Sequence, residues 1–215
     1  QPDHVRRDVD GMRELVARVV LERDLDRHEP SFVHSCCGWV TDDRQYSGAV
    51  PDYTVRPART SDVRGILELL EPWVARRILL GKEVVTVYES VQEFVVAESD
   101  GVLVGCGALH VMWEDLGEVR TLIVADEWLH HGVGGALVER LEQNALALGL
   151  SRLFCLTFEV DFFTRRGFAP IGEQIVDANV YSQLLRSPDE GVAEFLDLAH
   201  VKPNTLRNTR MLKQL

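Results

Sequence analysis

Hydrophobic residues recur along this chain with two periods, one typical of helices and one typical of strands. Apolar positions between residues 5 and 27 have helical spacing, whereas residues 29–51 have no clean period and are rich in residues that break regular structure. We therefore expect residues 1–50 to form an N-terminal extension whose order the pattern does not define. Residues 51–215 are expected to form the main domain.

From residue 53 onward the pattern becomes regular. Strands are expected over 53–58, 94–98, 102–113, 116–124, 152–157, 168–171 and 192–199. Helices are expected over about 60–79, 85–90, 160–166 and 177–186, and from the glycines at 132–135 to about residue 148. Tight turns at 99–101 and 114–115 indicate an antiparallel meander, and the helix before 152–157 indicates a β-α-β crossover. The predicted class is α+β, with a mixed, mostly antiparallel central sheet.

Composition argues against several kinds of partner. The chain has 215 residues, 46% hydrophobic and 27% charged, which is ordinary for a globular protein. No apolar run approaches the roughly 20 residues that span a bilayer, so no membrane partner is expected. The net charge of −11 argues against nucleic acid as the main partner. The four cysteines form no C-x-x-C pair, which favours a reduced, cytoplasmic setting, and no spacing indicates a metal site.

One short segment carries a chemical signal. W128-L-H-H-G-V-G-G-A-L-V-E-R-L-E142 places Gly132, Gly134 and Gly135 where a helix begins. Glycine is a poor helix former, but it lets a phosphate approach the free N–H groups of a first helical turn. The segment therefore predicts a backbone site for a pyrophosphate. It meets the dinucleotide pattern G-x-G-x-x-G only in part and has no Walker A lysine, so a flexible loop with small packing residues stays the alternative.

The order of elements, with this glycine loop after the fourth strand and F162-F-T-R-R-G-F168 after the fifth, resembles the GCN5-related N-acetyltransferase (GNAT) superfamily. More narrowly, V104-G-C-G-A-L-H110 and G117-E-V-R-T-L-I-V124 look like amino-acid N-acetyltransferases, the N-acetylglutamate synthases of arginine biosynthesis. The tail from residue 194 to 212 is similar to the stand-alone actinobacterial form. The resemblance implies the GNAT fold and acetyl-CoA as the co-substrate, with no metal.

The resemblance also places the acetyl-CoA site. The superfamily motif Q/R-x-x-G-x-G/A falls on Leu129, His130, His131, Gly132, Val133 and Gly134, followed by Gly135. Leu129 departs from the usual Arg or Gln, but the implied pyrophosphate contacts are backbone N–H groups, so we expect the site to survive this change. The segment whose backbone binds the acetyl carbonyl and the pantetheine arm falls on Leu122, Ile123 and Val124. For His130 and His131, a position as solvated loop residues is at least as good an interpretation as a catalytic role.

Acetyl transfer requires the acceptor amine to lose a proton, and Glu118 is the candidate general base. Alternation along the strand predicts that Glu118, Arg120 and Leu122 share one face. The alternative is that Glu118 and Arg120 form an ion pair without a catalytic role. Many superfamily members protonate the leaving thiolate with a tyrosine where this chain has Phe163. The amino-acid acetyltransferases have Phe-Phe there, so water or the ammonium itself is expected to supply that proton.

An acidic amino acid requires cationic or hydrogen-bonding groups for its carboxylates. The resemblance places Lys82 in the glutamate-binding loop, and Arg207 and Thr209 at the family's C-terminal R-x-S pair, beside Arg210. Arg120 on the central strand is a further candidate. Taken alone, each of these is more often a solvated surface group.

The sequence thus predicts an N-acetyltransferase that takes acetyl from acetyl-CoA and has a small-molecule partner, L-glutamate or L-glutamine. Two alternatives stay open: a GNAT enzyme for another amine, and an acyl-CoA- or arginine-sensing module that binds without turnover. Substrate preference between the two amino acids, arginine feedback and oligomeric state are undetermined at this stage, and a homodimer is among the options.

Overall fold

The structure, a computed structural model, describes residues 52–75, 83–172, 176–189, 192, 195–196 and 208–215. The predicted N-terminal extension and its helix lie outside these residues, and so does the end of the helix expected to reach residue 79. Within the described part of the chain, no helix has both the length and the apolar character needed to cross a membrane.

Up to residue 164 the elements follow the predicted succession. The strands are β1 (Thr54–Pro57), β2 (Phe94–Ser99), β3 (Val102–Trp113), β4 (Leu116–Val124), β5 (Arg152–Thr157), β6 (Ala169–Pro170) and β7 (Thr209–Gln214). The helices are α1 (Val63–Ala75), α2 (Val84–Glu89), α3 (Val133–Ala147), α4 (Val160–Thr164) and α5 (Ala178–Leu184). Short 3₁₀ turns occur at Thr60–Asp62, Val91–Glu93 and Asp126–Trp128.

The strands form one mixed sheet in the order β1-β2-β3-β4-β5-β7-β6. Neighbouring strands are antiparallel except β4 and β5, which run parallel because α3 carries the chain across between them. The turn between β2 and β3 uses two left-handed residues, Asp100 at φ 49° and Gly101 at φ 79°, as a two-residue hairpin requires. The predicted α+β class and the β-α-β crossover are confirmed.

α3 covers one face of the sheet. Its Leu137 and Leu141 are fully buried among the apolar side chains of the central strands. Two glycines of β3 let the helix come close, because a Cβ on Gly105 would lie 3.1 Å from Leu137 and one on Gly107 would lie 3.1 Å from Leu141. Close packing of this helix fixes where its N-terminus sits relative to β4.

The opposite face carries two separate apolar clusters. One lies under α1 and α2 and includes Ile123 of β4. The other lies under α5, Val192, Phe195 and Leu196, and it includes Leu116 of β4. Glu118 and Arg120 lie between Leu116 and Ile123 along β4, so charged side chains separate the two apolar clusters.

The strand predicted over 192–199 is wrong. Val192 and Phe195 are helical, and the N–H of Leu196 donates to the carbonyl of Val192 at 3.1 Å, the spacing of an α-helix. These apolar side chains are buried together with Leu184 of α5. A short apolar run does not distinguish a buried helix from a buried strand, and here the buried apolar residues lie on a helix.

β7 was not predicted, and it changes the role of residues 168–171. It lies between β5 and β6, with Thr157 opposite Thr209 at one end of its ladder with β5. The strand predicted over 168–171 is therefore a two-residue, exposed edge strand, Ala169–Pro170, although Phe168 beside it is buried. Pro170 has no N–H to donate, which suits an edge position.

Met211 of β7 is fully buried in the core shared with α3. We expect Met211→Ala to lower the free energy of unfolding by about 2–5 kcal/mol, because it removes a buried side chain and leaves a cavity. Urea denaturation followed by circular dichroism measures this change. The control Leu146→Ala, at a residue 58% exposed on α3, should change it by less than about 0.5 kcal/mol. Equal effects of the two substitutions would contradict a buried β7.

Candidate functional site

Two parallel strands at the centre of the sheet separate part-way along. β4 and β5 pair only as far as Val119 and Cys155. Beyond that point β4 stays paired with β3 up to Val124, and β5 stays paired with β7. The backbone of residues 122–124 therefore borders a gap in the sheet, where its N–H and C=O groups can meet a ligand. This is the geometry expected of the predicted site at Leu122–Val124, and binding there stays a prediction.

A β-bulge at Thr121 bends β4 where the gap begins. Thr121 has φ 57°, and the register against β3 shifts at this point. The bulge reverses the alternation, so Leu122 packs in the core under α3, while Arg120 pairs with Ala108, which faces α1. The prediction that Glu118, Arg120 and Leu122 share one face is therefore wrong. Glu118 and Arg120 lie on the face opposite Leu122.

The predicted anion-binding geometry is present at the start of α3. Gly132 caps the helix in the left-handed conformation, with φ 80°. The N–H of Ala136 donates to the carbonyl of Gly132 at 3.0 Å. The N–H groups of residues 133–135, which include Gly134 and Gly135, precede this bond, so the helix offers them no acceptor. They form the positive end of a 15-residue helix.

Arg166 adds positive charge at the same place. A Cβ on Gly135 would lie 2.5 Å from Nη2 of Arg166, so the guanidinium packs directly over the first turn of α3. The guanidinium carbon lies 3.6 Å from the ring centroid of Phe162, and Nη1 donates to the carbonyl of Phe162 at 3.0 Å. These contacts hold the cation in place. Sequence reasoning missed Arg166, because an arginine after a short helix carries no signal until the fold brings it to α3.

A pocket of about 410 Å³ opens beside this turn. Its lining combines the exposed side of α3 with cations from α4's C-terminal turn and from β7: Gly135, Val138, Glu139, Glu142, Arg165, Arg166 and Lys213. Nζ of Lys213 lies 2.7 Å from Oε1 of Glu142, and this ion pair borders one side of the pocket. A pocket with two arginines next to a helix N-terminus fits a ligand that carries several phosphates.

The loop before α3 is fixed by aromatic and apolar packing. Trp128 meets Tyr53 edge-on, with ring centroids 6.2 Å apart, and His131 at 6.0 Å. Leu129 packs on the core under α3, and His130 adopts φ 68°. Leu129, which stands where the motif usually has Arg or Gln, thus anchors the loop to the core. Contacts of His130 and His131 with a ligand stay predictions.

Five charged or titratable side chains meet on the face opposite α3: Glu93, His110, Glu118, Arg120 and Asp189. Arg120 donates from Nη2 to Glu93 at 3.0 Å and from Nη1 to Asp189 at 2.9 Å. The same Nη1 lies 3.8 Å from Oε2 of Glu118, whose residue is 4% exposed. His110 places Nδ1 2.9 Å from Glu93 and Nε2 3.7 Å from Asp189.

The charges in this cluster stabilise one another against burial. Burial lowers the pKa of Arg120, but the negative charge of Glu118 and the hydrogen bond to Asp189 outweigh it and raise that pKa. Burial raises the pKa of Glu93, but His110 and Arg120 bring it below the usual value. Burial likewise raises the pKa of Asp189, but the hydrogen bond and charge of Arg120, together with His110 and the N–H of Val192, bring it below the usual value. Both acids therefore stay ionised at neutral pH.

The other predicted residues fall into three groups. Phe163 is 5% exposed and packs edge-on against Phe162 and Phe168, so no hydroxyl stands at that position. Lys82 and Arg207 lie outside the described residues. No arrangement of three or more His, Cys, Asp or Glu suited to a metal occurs in the part of the chain that the structure describes.

Thr209 and Arg210 lie at the start of β7. Thr209 is opposite Thr157, the last residue of β5, and so stands at the gap end of that strand. Arg210 donates to the carbonyls of Phe195 and Gly172, at 3.0 and 3.3 Å, and thereby ties the chain between β6 and β7 to the sheet. A contact of either side chain with a substrate carboxylate stays a prediction.

Comparison with known proteins matches residues 67–168 to the acetyltransferase (GNAT) family. An amino-acid acetyltransferase from Mycobacterium tuberculosis is 55% identical over 161 residues, which cover 74% of this chain and 92% of that protein. One from Pseudomonas putida is 37% identical over 126 residues, but the match spans only 29% of its length. The crystal structure of Rv2747 from M. tuberculosis in complex with CoA superposes with a TM-score of 0.72 at 55% identity, covering 75% of this chain and 99% of that one.

The chain belongs to the GNAT acetyltransferase family. The resemblance expected from the sequence is thus confirmed, and with it an acetyl-CoA-dependent N-acetyltransferase. The start of α3, the gap in the sheet and the pocket at Arg166 fit the parts of acetyl-CoA: a pyrophosphate for the helix N–H groups, and a further phosphate for the arginines. The individual contacts are predictions.

Arg166→Met provides a test of these contacts, because methionine keeps an apolar side chain over Phe162 and removes the charge. We expect the dissociation constant of acetyl-CoA to rise about tenfold to a hundredfold, the value of one charge-assisted hydrogen bond. Isothermal titration calorimetry measures it, and repeating the titration with dephospho-CoA shows which phosphate Arg166 meets. The exposed Arg186, changed to Met, is the control. An unchanged constant in a folded Arg166→Met protein would rule the contact out.

Proposed function

We propose that this enzyme transfers the acetyl group of acetyl-CoA to the α-amine of L-glutamate or L-glutamine. The reaction would be the first step of arginine biosynthesis in the cytoplasm. High identity to a relative called an amino-acid acetyltransferase supports the substrate class. The observation that carries the proposal is the buried carboxyl of Glu118 on β4, four residues before the backbone segment that borders the gap between β4 and β5.

The position of Glu118 suits a general base. It is on the face opposite α3, so an acceptor amine approaching from that face reaches the gap from the side away from the helix that would hold the phosphates. Burial there excludes water and makes a carboxylate a better proton acceptor than one in solvent. The nearby guanidinium of Arg120 compensates the negative charge without removing it.

In the proposed reaction Glu118 accepts a proton from the α-ammonium of the amino acid. The freed amine nitrogen attacks the thioester carbonyl carbon, and backbone N–H groups of residues 122–124 stabilise the oxyanion. The tetrahedral intermediate collapses with cleavage of the C–S bond, which leaves an amide and the CoA thiolate. Because Phe163 has no hydroxyl, the thiolate takes its proton from water or from the amine nitrogen as the amide forms.

Thiol release from acetyl-CoA with a panel of amines tests the substrate. We expect turnover with L-glutamate or L-glutamine, and none with N-acetylglutamate, whose amine is blocked. Turnover only with a polyamine, an aminoglycoside or a peptide N-terminus would assign the enzyme to a different acceptor. Binding of acetyl-CoA without turnover of any amine would point to a sensing module instead. Sedimentation of the same preparation tests whether the enzyme is a homodimer.

Glu118→Gln keeps the shape of the side chain and removes the base. We expect kcat/KM for the amino acid to fall about 10²- to 10⁴-fold, with acetyl-CoA affinity near normal. Steady-state kinetics and calorimetry measure the two quantities. The matched control is Glu98→Gln on β2, a carboxylate bound to Arg56 at 2.8 Å and separated from β4 by β3. Full activity of the Glu118→Gln protein would exclude Glu118 as the general base.

Lys82 and Arg207 are our proposed ligands for the substrate carboxylates. Replacing either with Met should lower kcat/KM about tenfold to a hundredfold and leave acetyl-CoA affinity unchanged. If Lys82 binds the side-chain carboxylate, Lys82→Met should lose more on glutamate than on glutamine. An equal loss would place Lys82 at the α-carboxylate, and unchanged kinetics for both variants would mean that the carboxylates bind elsewhere.

A further inference from the structure

Arg120 is the centre of the charged cluster opposite α3. It reaches three carboxylates that come from three separate parts of the chain: Glu118 on its own strand, Glu93 before β2, and Asp189 after α5. Both terminal nitrogens of its guanidinium are engaged. A substrate carboxylate would therefore have to displace Glu93 or Asp189 to bind Arg120 in the same geometry.

His110 closes the arrangement into a ring. Its two ring nitrogens face Glu93 and Asp189, the same acids that bind Arg120. Each acid is thus held from two sides, and the guanidinium has little freedom to turn. Glu118 lies outside this ring, and it contacts the ring through Nη1 of Arg120 at 3.8 Å.

We propose that Arg120 is a positioning residue that keeps the buried Glu118 ionised, and that Glu93 and Asp189 hold Arg120 in place for this purpose. The proposal deepens the proposed function, since it rests on Glu118 as the base. It assigns Arg120 a different role from the substrate contact that the sequence suggested.

The charge count supports this role. The cluster contains three carboxylates and only one permanent cation. Without Arg120, the three acids would lose the guanidinium that all of them contact. Burial and the charge of Glu118 raise the pKa of the Cys155 thiol on the neighbouring strand, so this thiol supplies no positive charge in its place. Like charges at short range raise proton affinity, and so does burial. A protonated Glu118 cannot accept the proton of the substrate amine.

Carbon-13 NMR of the glutamate side-chain carboxyls tests the proposal directly. The signal of Glu118 is assigned by its loss in Glu118→Gln and followed as the pH is raised. In Arg120→Gln we expect its midpoint to move up by at least about one pH unit. In Arg120→Lys the shift should be smaller, since lysine keeps the positive charge but lacks the planar guanidinium with two terminal nitrogens. The matched control is Arg56→Gln, which removes another arginine shared by two acids, Asp62 and Glu98, away from the site.

Kinetics provide the second measurement. The acidic limb of kcat/KM against pH should move up with the midpoint of Glu118 in Arg120→Gln, and kcat should recover at higher pH. In a Glu118→Gln background the same change should have little further effect, because Arg120 acts through Glu118. Calorimetry with acetyl-CoA confirms that each variant is folded. If Arg120→Gln does not fold, Arg120→Lys decides by the same two measurements.

Each outcome decides between roles. An unchanged midpoint of Glu118 overturns the proposal, and so does a proton taken up by Glu93 or Asp189 instead. A KM for the amino acid raised tenfold at constant kcat and constant midpoint would make Arg120 a substrate ligand. A shifted midpoint in an enzyme that acetylates a different amine would support the positioning role while refuting the proposed substrate, so the two failures are distinguishable.

Discussion

The structure depends on the incomplete pairing of two parallel strands. A sheet interior normally satisfies every backbone N–H and C=O group with a neighbouring strand. Here β4 and β5 pair over a short stretch and then separate, and β7 holds β5 from its other side. The bulge at Thr121 accompanies the separation and costs a left-handed conformation at a non-glycine residue. Such strain persists only where the surrounding packing over-determines it, and α3 on one side and the two apolar clusters on the other provide that packing.

The gap divides the chemistry between the two faces of the sheet. The helix N-terminus and Arg166 offer positive groups on the α3 side, whereas the cluster around Arg120 offers three carboxylates on the other. The two faces of the sheet therefore carry charge of opposite sign where they border the gap. A phosphate-rich ligand and an ammonium group are each favoured on a different face, although the protein as a whole carries a net charge of −11.

Local signals in the sequence predicted the parts of the fold that depend on local physics. The hairpin at Asp100–Gly101 and the helix start at Gly132 need left-handed backbone conformations, and glycine and aspartate are residue types that adopt them readily. β7 was missed because Thr209–Gln214 has no alternation of polar and apolar residues, and its partner β5 lies far away in sequence. Arg120 and its contact with Glu118 were recognised as candidates, but the partners Glu93 and Asp189 were not, because they are 27 and 69 residues distant. The face of Leu122 was mispredicted because one bulge reverses a period of two.

The insertion of β7 between β5 and β6 also constrains how the molecule is made. During synthesis β5 emerges long before the strand that will cover its open side, so a row of unpaired backbone groups is exposed while the intervening chain is still being added. Pairing over such a distance is slow, because a long loop must close before any hydrogen bond forms. In that interval the nascent sheet offers an unpaired edge to other chains, so the incomplete protein is prone to aggregate until β7 is made.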